Sequence, residues 1–205
     1  MASRHNVNLL WVGILVEGSL MLLAVLISHL NFFDPQQPLA KLGEVPIVNT
    51  ILMGIVATIP MLGYLLLFHF WRPKFYAPMR QFVDETLRPF FAESGFVELV
   101  IISLMAGVGE EIFFRWCLQG GTMALLEPLM GELTAAIISI VAIGVLFGLC
   151  HWVNNSYFVI ATLAGIYFGL VMWITGSWLI AAISHALFDL AALIYLQRSN
   201  PGRST

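Results

Sequence analysis

Six residues in the second half of the chain place acids, bases and a cation at fixed intervals in otherwise oily sequence. They are Glu110, Glu111 and Arg115 in one run, His151 at the end of another, and His185 with Asp189 in a third. An ionised side chain at the middle of a membrane helix costs ~2.5–3.5 kcal/mol even on the lenient insertion scale, so such groups usually face a cavity and mark function. Glu111 and Arg115 are four residues apart and share a helical face, where a planar guanidinium can meet a carboxylate. Glu110 points about 100° away from that face and lacks this partner. Its own face carries Gly107, Ala106 and Ser103, small residues that admit a neighbouring helix. A carboxylate in such a place can act as a general base. Phe147 and His151 share a face, and His185 and Asp189 form a second i,i+4 pair.

Each feature alone has a plainer reading. The three charges could fix helix packing, a histidine at a helix end could be interfacial, and a His–Asp pair could be a structural hydrogen bond. Together they lie on separate helices or turns, so packing could gather them around one cavity. Cys150 beside His151 is a poor nucleophile–base pair, because helical neighbours diverge by about 100°. His5, His29 and His69 lie near the N-terminus or at helix ends and read as interfacial. Glu17 is a further intramembrane acid, read as packing or lipid-facing and given no role.

The elements that must hold these residues follow from composition. Of 205 residues, 60% are hydrophobic and 10% charged, with a mean hydropathy of +0.90. Soluble domains carry roughly 45–50% apolar and ~25% charged residues, so this excess must face lipid. A spanning helix needs about 20 mostly apolar residues. Such runs occupy 9–30, 46–70, 96–118, 133–151, 157–174 and 178–196. Lipid leaves no partner for unpaired backbone groups, and the runs are too long for barrel strands, so they are predicted to be helices. The expected fold is all-α, a polytopic membrane helix bundle of about six transmembrane helices. Residues 71–95 mix Arg72, Lys74, Arg80 and Arg88 with Phe75, Phe82, Phe90 and Phe91, which suits a segment lying along the membrane interface. One membrane domain is expected over 1–205, with N-terminal helices in 9–70 and the motif-bearing core in 96–196. The first apolar run is too long for a signal-peptide core and is read as a retained helix.

With the N-terminus in the cytoplasm, Arg4, Arg72, Lys74, Arg80, Arg88, Arg198 and Arg203 fall inside and Lys41 alone falls outside. That bias predicts both termini cytoplasmic, in the inner membrane if the host is bacterial. A net charge of −3 gives no reason to expect nucleic acid. Cys117 and Cys150 lie in apolar runs and do not suggest a disulfide framework.

At this point the chain resembles a known family. Glu110-Glu111-x-x-x-Arg115, Phe147-x-x-x-His151 and His185-x-x-x-Asp189, in that order over 96–196, resemble the signature of the type II CAAX prenyl endopeptidases and their bacterial relatives. The wider group is the CPBP (CAAX protease and bacteriocin-processing) intramembrane proteases. The last position is Asp here, where eukaryotic members look to carry Asn. The resemblance implies a glutamic-type intramembrane endopeptidase acting on a membrane-associated protein or peptide. Glu110 and His151 would activate a water, while His185 and Asp189 would stabilise the tetrahedral oxyanion or orient the group that does. Glu111 and Arg115 would lock their helix. No cofactor is expected; the alternative is zinc on Glu110, His151 and His185, although the helical His-Glu-x-x-His zinc motif is absent. Rival readings are a non-catalytic scaffold of the same fold and an ion-coupled transporter using the same charges.

Depth raises one difficulty. If the third helix ends at Leu118, Glu110 lies ~12 Å from its outer end while His151 lies ~27 Å from its own. The two could not share a water. Continuation through Gly120 and Gly121 towards Leu126 would bring them level, and this is the expectation.

Overall fold

The computed structural model describes residues 4–28 and 45–198, and all regular structure among them is helical. Helix α1 spans Arg4–Ser28 and α2 spans Ile47–Trp71. A string of short pieces follows: a 3-10 turn at Lys74–Tyr76, α3 at Ala77–Phe82, a π-helical turn at Val83–Leu87 and α4 at Arg88–Phe91. Then come α5 (Phe96–Glu111), a π-helical stretch (Ile112–Gln119) and α6 (Gly120–Met130). Helices α7 (Glu132–Cys150), α8 (Asn155–Thr175) and α9 (Trp178–Arg198) complete the described chain. Helices α2, α7, α8 and α9 are each long and apolar enough to cross a membrane. Their outer faces expose Ile55, Val56, Ile59, Leu133, Ile137 and Leu163, a greasy surface too extensive for water. The protein is an all-α membrane helix bundle.

The third expected span differs from its first outline in the way depth required. The chain stays helical past Leu118 as far as Met130. What was not expected is the π-helical stretch in its middle. Wider turns of this kind recur at functional sites, and this one starts directly after Glu111. Phe114, Arg115, Trp116, Cys117 and Gln119 are all buried within it. Gln119 donates from Nε2 to the Gly169 carbonyl at 3.0 Å, tying the stretch to α8.

Small residues set which helices touch. A Cβ on Gly107 would lie 2.7 Å from the Ala186 nitrogen and 2.8 Å from the Ala182 oxygen. Only glycine therefore allows α5 to press its backbone against α9. Gly148 and Gly165 do the same between α7 and α8, where an added Cβ would come within 2.9 Å of the Phe158 oxygen and 3.0 Å of the Gly144 oxygen respectively. The α8 start is capped by Asn154, whose side chain accepts from the Tyr157 N–H at 3.0 Å.

The segment read as interfacial is helical, and it lies across the end of the bundle where α2 and α7 finish and α8 begins. Ser156 donates to the Phe75 carbonyl, Asn154 Nδ2 to the Pro78 carbonyl at 3.3 Å, and Arg88 to the Leu196 carbonyl at 2.6 Å.

Candidate active site

Helix α7 ends at Cys150, and a helix end leaves its last carbonyls without intrahelical partners. The His151 backbone N–H turns to Gly148 O at 3.1 Å. That frees the Phe147 carbonyl, which the His151 ring takes through Nδ1 at 2.8 Å. A carbonyl only accepts, so Nδ1 carries the proton and Nε2 is the nitrogen turned to the site. The ring also stacks on Phe147, with centroids 4.4 Å apart. One helix terminus thus fixes both the tautomer and the aim of this imidazole. Nε2 stands 3.6 Å from Glu110 Oε1, beyond direct hydrogen-bond range.

Glu110 and Glu111 end α5, and the contact of Gly107 with α9 carries them up to His185 and Asp189. Glu111 is fully buried and bridges two groups. Its Oε2 pairs with Arg115 Nε at 2.8 Å, and its Oε1 accepts from His185 Nδ1 at 3.0 Å. The Arg115 guanidinium, also fully buried, lies 5.1 Å from the centre of the Phe147 ring, a distance at which ring and cation attract. With Nδ1 held by Glu111, His185 turns Nε2 towards Asp189 Oδ2 at 3.5 Å. Its ring stacks on Phe168 with centroids 4.6 Å apart.

Glu110, His151, His185 and Asp189 open onto one cavity of about 190 Å³, walled otherwise by aromatic and aliphatic side chains including Tyr64, Phe68, Tyr76, Tyr157 and Phe188. Glu111 and Arg115 sit behind it. Four of the six residues singled out in the sequence therefore share a chamber, and the other two brace it. Among the described residues, no three His, Cys, Asp or Glu side chains converge on a point that could hold a metal ion. The set Glu110, His151 and His185 accordingly does not fit zinc.

Two features escaped sequence reasoning. The bond between His185 and Glu111 joins different helices, and no spacing rule encodes it. Glu17, set aside as packing or lipid-facing, is 91% buried and so does not face lipid. A Cβ on Gly109 would fall 2.8 Å from Glu17 Oε2 and 3.1 Å from its Cβ, so Gly109 lets α1 bring this carboxyl against α5 at the residue before Glu110. Glu17 Oε2 has no hydrogen-bond partner among the described residues. The same rarity of buried acids that singled out Glu110 would have flagged it. His69 is bonded through Nδ1 to the Tyr195 hydroxyl; His5 and His29 lie outside the described side chains.

Residues 92–191 match a family described as Type II CAAX prenyl endopeptidase Rce1-like. No curated protein and no solved structure matches the chain.

Proposed function

Over residues 92–191 the chain belongs to the type II CAAX prenyl endopeptidase-like family, and from that premise we propose that it hydrolyses a peptide bond of a membrane-associated protein or peptide by Glu110- and His151-assisted attack of water. The observation that carries the reading is the Glu110–His151 pair across 3.6 Å at the wall of an oily chamber. At that separation one water oxygen can lie ~2.8 Å from both side-chain atoms. Glu110 takes a proton from the water as its oxygen attacks the scissile carbonyl. The C–N bond then breaks, and the proton passes to the leaving amine from Glu110, with His151 Nε2 guiding the transfer.

His185 is assigned to the oxyanion. Held between the Glu111 and Asp189 carboxylates, it acts as an imidazolium, donating from Nδ1 to Glu111 and offering its Nε2–H to the oxyanion without having to reorganise during reaction. A carboxylate cannot donate to an oxyanion, so Asp189 acts by positioning His185. Arg115 neutralises Glu111 and keeps that clamp charged where there is no water. The partners implied are a tethered polypeptide and the bilayer.

The test uses purified protein in lipid nanodiscs and a library of membrane-tethered peptides, with products read by mass spectrometry and metal content measured in parallel. Glu110→Gln and His151→Ala are each expected to lower the cleavage rate by about 10²–10⁴, with thermal unfolding close to that of the unaltered protein. Full cleavage by the two variants combined would end the reading.

A further inference from the structure

A second cavity of about 440 Å³ lies beside the catalytic chamber, and Leu65, Phe68 and Tyr76 line both. Its chemistry is different. Arg72, Arg80, Arg88 and His69 line it against a single acid, Asp84. Asp84 is already committed, since its Oδ1 lies 2.7 Å from Arg88. Arg88 also donates to the Leu196 carbonyl at 2.6 Å. That arginine therefore fastens the end of α9 to the segment lying across it. Arg72 and Arg80 are both exposed, and neither forms an ion pair with a carboxylate among the described residues.

Arg72 is held in place. It closes α2 at φ 43°, a left-handed backbone uncommon for a side chain of its size, and its Nε donates to the His69 carbonyl at 3.0 Å. Tyr76 stands at the seam between the cavities. Burial pushes its phenol up, with Arg80 pulling the other way, so it stays a neutral O–H donor.

We propose that this basic vestibule is a substrate subsite that takes a carboxylate carried near the scissile bond. The proposal rests on the peptidase reading and names the class of substrate it selects. Two guanidiniums beside a phenol suit a planar, two-oxygen anion, which Arg binds through its fork of donors. The anion belongs to a polypeptide because the vestibule shares a wall with the chamber where the chain would be cut. Two sources share that chemistry: a free C-terminal carboxylate and an Asp or Glu side chain.

The test is binding rather than turnover, so it stands apart from the cleavage assay. Glu110→Gln protein in zwitterionic nanodiscs is titrated with three fluorescent lipid-tethered peptide sets. One set ends in a free carboxylate and has no acidic side chain, one is the same sequence amidated, and one is amidated with an internal Glu. At least one acidic set is expected to bind roughly three- to tenfold more tightly than the neutral set at low salt, the range two partly exposed ion pairs can supply. Which acidic set wins identifies the source. Adding Arg72→Gln and Arg80→Gln is expected to erase that preference, and Arg80→Glu to shift it towards a peptide with Lys in place of Glu. Equal affinity for all three sets, including no measurable binding to any, overturns the proposal. So does an effect of the arginines confined to discs containing phosphatidylglycerol, which would make them headgroup anchors. Acidic binding without cleavage by the unaltered protein would instead sink the peptidase reading and leave the subsite standing.

Discussion

Glu111 holds Arg115 with one oxygen and His185 with the other, so a single carboxylate serves both the fold and the site. Glu111→Gln strands the Arg115 charge with no counter-charge, and breaking one side of a buried pair costs about 3–5 kcal/mol. A lower unfolding temperature is expected. Combining it with Arg115→Met removes the stranded charge and is expected to restore much of that loss, because an apolar replacement of a buried pair is often neutral. Cleavage should stay low in the double variant, since His185 still lacks its charged clamp. Thermal unfolding and rate measured side by side check this; full recovery of both would show that Glu111 only packs. At this scale the sequence was informative where charge is costly. Glu110, Glu111, Arg115, His151, His185 and Asp189 stand out because lipid tolerates so few such groups. Glu17 was equally visible as a rare intramembrane acid, but nothing in the sequence showed which helix it faces.

Among the helices, the decisive contacts are made by absent side chains. Gly107→Val would drive a branched side chain into the backbone of α9 from 2.7 Å away. Overpacking of this kind costs typically 1–3 kcal/mol, and here it would also separate Glu110 and Glu111 from His185. Both unfolding temperature and cleavage are expected to fall, whereas Gly63→Ala, at a position with nothing within 4 Å of an added Cβ, should change neither. Helix positions were readable from hydropathy, with ends shifted by a few residues: α8 runs Asn155–Thr175 against an expected 157–174. The π-helical stretch was not readable, since its turn width has no compositional mark. Its continuation was foreseen, towards Leu126, only because Glu110 and His151 were expected to lie at one depth; the helix runs to Met130.

For the whole molecule, the charged vestibule and the C-terminal end of α7 lie at one end of the bundle, with the α6–α7 turn at Gly131 at the other. The excess of basic residues at the first end argues that it faces the cytoplasm. Single cysteines in place of Arg80 and of Leu129, which is 78% exposed, should then react with a membrane-impermeant maleimide from opposite sides of oriented vesicles. Reaction of both from one side would reverse or refute the topology. The all-α membrane architecture was legible from composition alone. Contacts between distant helices, such as α1 with α5, were not, because hydropathy reports depth and is silent about neighbours.

The family match begins at residue 92, yet Tyr64, Phe68 and Tyr76, which wall the chamber, come earlier in the chain. The acids and imidazoles of the chamber thus all come from the matched part, while its aromatic wall is shared between that part and the residues before it. Exchanging the first 91 residues between relatives should hand over a taste for different peptides while the hydrolytic apparatus stays put.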